Sequence, residues 1–375
     1  MVSAQPTINN LDYDHARNKV EFDVYHIDLS IVNAIRRIIL SEVENIAPSF
    51  DSMDPSNNDI TFIENTSCLH NEFLGHRISL IPLHFDKEMR QRFTPDDYHF
   101  EINVTNQTTD MMEVTTRDIR VYDKKGELYG QDIHDTLFPL SPFTGDPVLI
   151  VKLNPNVYNQ SFGEKLHVKF VARKGMAKDH SRYSPVSCCA YHNIVDEKKA
   201  DAAFKEWRKK TPHIEENQLY KRFSIHDKFR HFQTNGYDEP CAFHFVIECE
   251  NRMHPLEIFF DAFEILRQKI RQHAQDKGFT ISALNETQYA MIFKNETHTL
   301  GNVIQSLFYN KYKRKENKLT FIGYYLTHPS IEEIVVKIGF TDPQDQTKVS
   351  DFVIQGLRAL DADLGKIVKQ LQKLI

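Results

Sequence analysis

A chain of 375 residues exceeds the roughly 100 to 200 residues of a single domain, so two or three domains are expected. Its composition, 41% hydrophobic and 26% charged, is globular, and no stretch approaches the ~18 consecutive apolar residues of a membrane span. A net charge of −6 argues against a chain whose main task is gripping phosphate backbones, which calls for a basic face.

The opening residues, MVSAQPTINN, have neither a basic start nor an apolar run. No secretory signal is read there, and a reducing intracellular compartment with the five cysteines as thiols is expected. Val20, Phe22 and Val24 alternate at period two, the mark of a half-buried strand. The run LSIVNAIRRIIL, residues 29–40, then changes period: Ile31, Ala34, Ile35, Ile38 and Ile39 form one helical stripe, and Ser30 is placed to cap its start. Arg36 and Arg37 are expected to point away from that stripe, where guanidinium groups suit a partner's carboxylates or carbonyls.

Turn formers in SFDSMDPSNND and KFVARKGMAKD flank a segment of short alternating strands with Pro-rich turns such as FPLSPFTGDP, which reads as a mostly β insert. Further on, Phe243, Phe245 and Ile247 share one strand face, and Leu256, Phe259, Phe263, Leu266 and Ile270 follow at helical steps. Gly278, just past this long helix, reads as its C-cap and the start of a linker.

The first pattern then returns, displaced by 269 residues: Tyr289, Met291 and Phe293 alternate, and Leu300, Val303, Ile304, Leu307 and Phe308 repeat the stripe, with Asn302 in the place of Asn33. A second strand (Ile334, Val336, Ile338, Phe340) and a long heptad-like helix (Val353, Leu357, Leu360, Leu364, Ile367, Leu371, Leu374) complete the repeat. From Asn33 to Phe243 is 210 residues, against 32 from Asn302 to Ile334, so the first copy holds 178 extra residues. The fold class is therefore α+β. Residues 1–49 and 176–277 form a discontinuous first module, 50–175 an inserted domain, and 278–375 a second module. Each helix stripe alone could serve an ordinary core; two matching stripes can pack on each other as isologous dimers do.

Catalytic and metal-binding patterns are not found. The cysteines contain no C-x-x-C pair, His70 and His76 are six apart, and there is no phosphate-binding glycine loop or nucleophile elbow. Asp361 and Asp363 are expected as solvated carboxylates on the polar face of the last helix. The basic run 312–318, YKRKENK, reads as a solvated loop, and its use by a free-standing nucleic-acid-binding protein is the main alternative function. An enzyme with an unrecognised site in the insert is a third class.

DLSIVNAIRRIILSEVENIAP, HNEFLGHRISLIPLHFD and GMAKDHSRYSPVSCCAY resemble motifs of the larger member of the α-type RNA polymerase assembly pair, the archaeal D subunit and the third-largest subunit of eukaryotic RNA polymerase II. FKNETHTLGNVIQSLF and GYYLTHPSIEEIVVKI are similar to its smaller partner, the archaeal L or eukaryotic eleventh subunit. The resemblance implies a non-catalytic assembly platform, without cofactor, for the largest and second-largest polymerase subunits and for small accessory subunits of the tenth and twelfth type, touching DNA and RNA only through the complex. It implies an intramolecular pseudo-dimer through the two stripes. It also implies partner contacts at Arg36, Arg37, Glu72, Phe73, Arg77, Leu80, Pro82, Lys178, His180 and Pro185, although Arg77 could instead pair locally with Glu72. Many relatives place a cysteine-rich zinc loop after Asp86, where KEMRQRFTPDDYH has no cysteine, so no metal is expected. Fusion of both partners in one chain suggests a large DNA virus of eukaryotes, with the protein in the virion and host cytoplasm; a cellular version would be nuclear.

Overall fold

A computed structural model describes residues 5–51, 53–156, 163–249, 253–275 and 278–374. Strands β1 (Thr7–Asp14) and β2 (Lys19–Tyr25) form a hairpin and lead into helix α1 (Leu29–Ser41). The cap of α1 is Asp28, not Ser30. The Asp28 carboxylate accepts from the Ser30 backbone N–H at 2.8 Å, leaving Ser30 inside the first turn. A carboxylate at this position answers free N–H groups and the positive end of the helix dipole together.

Strand β3 (Glu44–Ala47) leaves the first module for β4 (Ile60–Asn65), α2 (Asn71–Ser79), α3 (Lys87–Arg92), β5 (His99–Thr105), β6 (Met112–Thr115), β7 (Ile119–Tyr122), α4 (Gln131–Leu137), β8 (Leu149–Leu153) and β9 (Lys165–Phe170). The chain returns along β10 (Arg173–Met176), which pairs antiparallel with β3 as a two-stranded neck. The insert has its own hydrophobic cluster, in which Leu74 and Ile78 of α2 meet Phe100, Ile102, Leu166 and Val168 of an antiparallel sheet ordered β4-β9-β5-β7. Around Asp86, the rings of Phe85, Phe93 and Tyr98 pack with centroids within 5.9 Å of one another. Aromatic packing thus fills the stretch where the resemblance would place a cysteine-rich loop.

The first module resumes with β11 (Val186–Asn193), a helical hairpin of α5 (Glu197–Lys210) and α6 (Glu216–His226), β12 (Ala242–Cys249) and α7 (Pro255–His273). The second comprises β13 (Thr280–Ala283), β14 (Gln288–Lys294), α8 (His298–Phe308), β15 (Leu319–Leu326), β16 (Glu333–Phe340) and α9 (Gln346–Gln372). The sheets match, β1-β2-β12-β11 against β13-β14-β16-β15. Their registers match too: Val24 lies opposite Phe243 and Phe22 opposite Phe245, as Phe293 lies opposite Ile334 and Met291 opposite Val336.

This register divides the extra residues of the first copy more finely than the sequence does. Tyr191 and Tyr324 are equivalent strand positions, pairing with Phe245 and Val336. From Asn33 to Tyr191 is 158 residues against 22 from Asn302 to Tyr324, so 136 of the extra residues lie before β11 and the other 42 between β11 and β12. The second group is the α5–α6 hairpin. Its buried Leu219 and Phe223 belong to neither large hydrophobic cluster, and Phe223 packs instead with Phe204 and Trp207.

Gly278 is not the C-cap of α7, a place taken by Ala274. A Cβ on Gly278 would stand 2.5 Å from the carbonyl oxygen of His273, so close backbone approach requires the glycine. Leu374, expected on the α9 seam, is exposed, whereas Val353, Leu357, Leu360, Leu364 and Leu371 are buried.

Candidate functional site

The main seam is the crossing of α1 and α8. Ile31, Ala34, Ile35, Ile38 and Ile39 from one side and Leu300, Val303, Ile304 and Phe308 from the other are buried in one continuous cluster, with Leu307 partly buried at its margin. Polar contacts close both ends. Ser306 Oγ donates to the Asp28 carboxylate at 3.0 Å and Asn310 Nδ2 at 3.1 Å, so the residue that caps α1 is also held by α8. At the other end, Arg37 Nε donates to Thr299 Oγ1 at 2.8 Å. In the 269-residue displacement Arg37 corresponds to Ser306, and Thr299 to Ser30, Asp28's hydrogen-bonded neighbour. The corresponding residues Arg37 and Ser306 thus each bond the start of the other module's helix, Thr299 in the first turn of α8 and the Asp28 cap of α1.

Arg37 accordingly faces the second module, contrary to the expectation that both arginines turn outward. Arg36 is half-buried and held by Asn33 Oδ1 at 3.0 Å on its own helix.

A second seam joins α7 to α9. Asp361 accepts from Arg267 Nε at 2.8 Å and Arg271 Nε at 3.0 Å, while Glu264 holds the other side of both guanidinium groups. Asp361 is thus a bridging carboxylate and not a solvated one; Asp363 pairs with Lys366 on the exposed face. Two glycines let α9 approach closely, since a Cβ on Gly356 would meet the Phe308 ring at 2.5 Å and one on Gly365 the Arg267 guanidinium at 2.9 Å.

The remaining candidates gather near the neck. On and after α2, Glu72, Phe73, Leu80 and Pro82 are exposed, Phe73 by 59% and Leu80 by 46%. Arg77 does not pair with Glu72; it donates to the carbonyls of Ile150 and Leu149 at 2.9 and 2.8 Å and ties α2 to β8. Gly75 lets α2 lie against Phe50, whose carbonyl accepts from Arg182. The turn that holds Arg182 also contains Lys178, exposed, with its N–H bonded to Ser41 O at the end of α1. His180 accepts from the Arg182 N–H; burial lowers its pKa, and Arg182 and His76 lower it further. Pro185, in contrast, is buried and cannot serve as a surface contact. The end of α1, α2 and the 176–185 turn therefore share one neighbourhood, while Arg37 belongs to the seam.

Among the described residues no group of three or more His, Cys, Asp or Glu side chains could hold a metal ion. Burial pushes the Cys189 and Cys249 thiols up to about 12, away from reactivity. In the basic run, Arg314 forms a two-pronged pair with Glu239 over the Tyr237 ring, Lys313 bonds the Thr320 carbonyl and Lys318 pairs with Glu316. No helix among the described residues is long and apolar enough to cross a membrane.

The polar residues of the seams, Asp28, Thr299, Ser306, Arg267, Arg271 and Asp361, are the ones that sequence reasoning missed. The 269-residue displacement held a signal for part of them, because it sets Arg37 against Ser306.

Residues 21–270 match the RNA polymerase Rpb3/Rpb11 dimerisation domain, and residues 288–370 match it a second time. The chain is similar to the DNA-directed RNA polymerases I and III subunit RPAC1 of Saccharomyces cerevisiae, 28% identical over 70% of this chain and 84% of that protein. It is 24% identical to the DNA-directed RNA polymerase II subunit RPB3 of Schizosaccharomyces pombe, over 79% of this chain and 92% of that one. Subunit Rpo3 of the DNA-directed RNA polymerase of Methanobrevibacter smithii is also 24% identical, over 67% and 92%. With two such domains, each built on the same four-stranded sheet order, the chain belongs to the RNA polymerase Rpb3/Rpb11 dimerisation-domain family.

Proposed function

We propose that this chain is a non-catalytic assembly-platform subunit of a multisubunit DNA-directed RNA polymerase, with the two partners of an α-type pair joined as an intramolecular pseudo-dimer. The observation that carries the reading is the seam itself: the α1 and α8 stripes bury each other, and the corresponding residues Arg37 and Ser306 each hydrogen-bond the start of the other helix. A surface consumed in this way leaves other faces to bind partners. Residues 50–175 form the inserted domain of the first module and 278–375 the second module. The active site lies in the other subunits.

The largest and second-largest subunits and small accessory subunits are the partners. The docking neighbourhood comprises Glu72, Phe73, Leu80 and Pro82 with Lys178 and His180. Its exposed Phe73 and Leu80 are apolar anchors of the kind that dominate interface energetics. Arg36 lies on α1, whose end reaches this neighbourhood through Ser41; Arg77 acts by positioning α2. The same reading takes the fusion as the mark of a large DNA virus and the protein as intracellular.

Affinity purification of the tagged full chain, followed by mass spectrometry, tests the reading. The two large subunits are expected with the wild type. Phe73→Ala with Leu80→Ala should lower recovery of the second-largest subunit about tenfold, since hot-spot truncations cost more than about 1 kcal/mol each. The melting temperature should hardly move, because surface changes usually stay within about 0.5 kcal/mol. Full recovery with the double variant would remove the docking role of α2, and nucleotide polymerisation by the isolated chain would overturn the platform reading.

A further inference from the structure

Four charged or titratable side chains from both modules meet at the end of α7. Lys269 and His273 lie on α7, Glu42 just past α1, and Glu296 just ahead of α8. Lys269 Nζ stands 2.6 Å from Glu42 and 3.3 Å from Glu296. His273 Nε2 lies 3.0 Å from Glu296 Oε1, and its Nδ1 lies 2.7 Å from the carbonyl oxygen of Gly278. The pair is enclosed, with side-chain exposures of 8% for His273 and 5% for Glu296. The Phe293 ring of β14 stands edge-on against the imidazole and brings no charge.

Both hydrogen-bond partners of the ring are acceptors. A neutral imidazole has one N–H, so it can satisfy one of them and must turn a lone pair towards the other; the imidazolium donates to both. Protonation also balances the group, two cations against two carboxylates, and a buried charge left unbalanced would be strongly destabilising.

We propose that His273 is held as an imidazolium in the folded chain, and that Glu42, Lys269, Glu296 and His273 form a proton-linked clasp that fixes how the second module docks on the first. The proposal rests on the pseudo-dimer reading. Burial pushes the His273 pKa down, as does the Lys269 charge, but the hydrogen bonds to Glu296 and Gly278 and the Glu296 charge outweigh them and leave it raised. With the folded pKa above the unfolded value of about 6.5, the stabilisation is complete below that value and is lost as pH rises through the folded pKa. The clasp therefore loosens on the alkaline side.

Two measurements on the full-length chain decide it. In thermal unfolding between about pH 6 and 9, the gap in melting temperature between wild type and His273→Gln should be widest at the acid end of that window, where the imidazolium is fully formed, and narrow steadily above it. Parallel curves for the two proteins would overturn the proposal. Nitrogen NMR of the wild-type imidazole should show both His273 ring nitrogens protonated at neutral pH, and a neutral tautomer there would overturn it as well. This second readout stands even if the variant fails to fold. Neither measurement involves polymerase subunits, so a failed clasp leaves subunit recovery untouched and failed recovery leaves the clasp intact.

Discussion

Asp28 holds two jobs at one carboxylate. It caps α1 through the Ser30 N–H and accepts from Ser306 and Asn310 of the second module. A pure cap would lose about 1 kcal/mol on truncation. Removing Asp28 also strips a partner from Ser306 of α8 and from Asn310 just past it, and hydrogen bonds to a charged group contribute about 1.5–3 kcal/mol. Asp28→Ala is therefore expected to cost more than Ser30→Ala, and a double-mutant cycle of Asp28→Ala with Ser306→Ala should show coupling of about 0.5 kcal/mol or more by denaturant unfolding. Additive effects would reduce Asp28 to a cap. The sequence shows an aspartate two residues ahead of Ser30, which is enough to suspect a cap. Nothing in it says that a serine 278 residues away completes the carboxylate's shell.

At the scale of elements, the α5–α6 hairpin and α9 show opposite relations to the core. The hairpin is an elaboration between β11 and β12, where the second module joins β15 to β16 in six residues, 327–332. Its own small cluster of Phe204, Trp207 and Phe223 is a satellite of the main core. Phe223→Ala should accordingly unfold the hairpin alone: amide protons of α5 and α6 lose protection from hydrogen exchange while those of β2 and β12 keep theirs. Loss of protection throughout the first module would show that the hairpin is part of the main core. Helix α9, in contrast, is held along its length by α7 and α8, and its glycines set the distance. Its heptad-like stripe was legible from spacing. The role of Asp361 was not, because the polar face of a helix becomes a contact face only where a neighbour crosses it.

For the whole molecule, the seams predict that the modules stay together without the covalent link between them. The α1–α8 stripes lie in a single hydrophobic cluster, and Asp361 joins α7 to α9 through two arginines. If a protease site is placed between Gln275 and Gly278 and the purified chain is cut there, the two fragments should still co-elute in size-exclusion chromatography. Ile35→Ala with Ile304→Ala, each costing about 2–5 kcal/mol when a fully buried side chain is truncated, should release them. Fragments that separate without those substitutions would show the seam too weak to hold a pseudo-dimer.

Composition, period and repetition by themselves determined the α+β class, the strand faces, the stripes of α1, α7, α8 and α9, and the duplication. Each of these follows from which side chains avoid water, and that is written in local spacing. The tertiary structure alone decided the outcome where a side chain could satisfy itself in more than one way. Arg37 bonds Thr299 instead of facing outward, Arg77 bonds two carbonyls instead of Glu72, and Arg314 pairs with Glu239 across the modules. Spacing along a helix says which face is buried but not the angle at which the next helix crosses. That crossing angle selects the partner of every polar group at the margin.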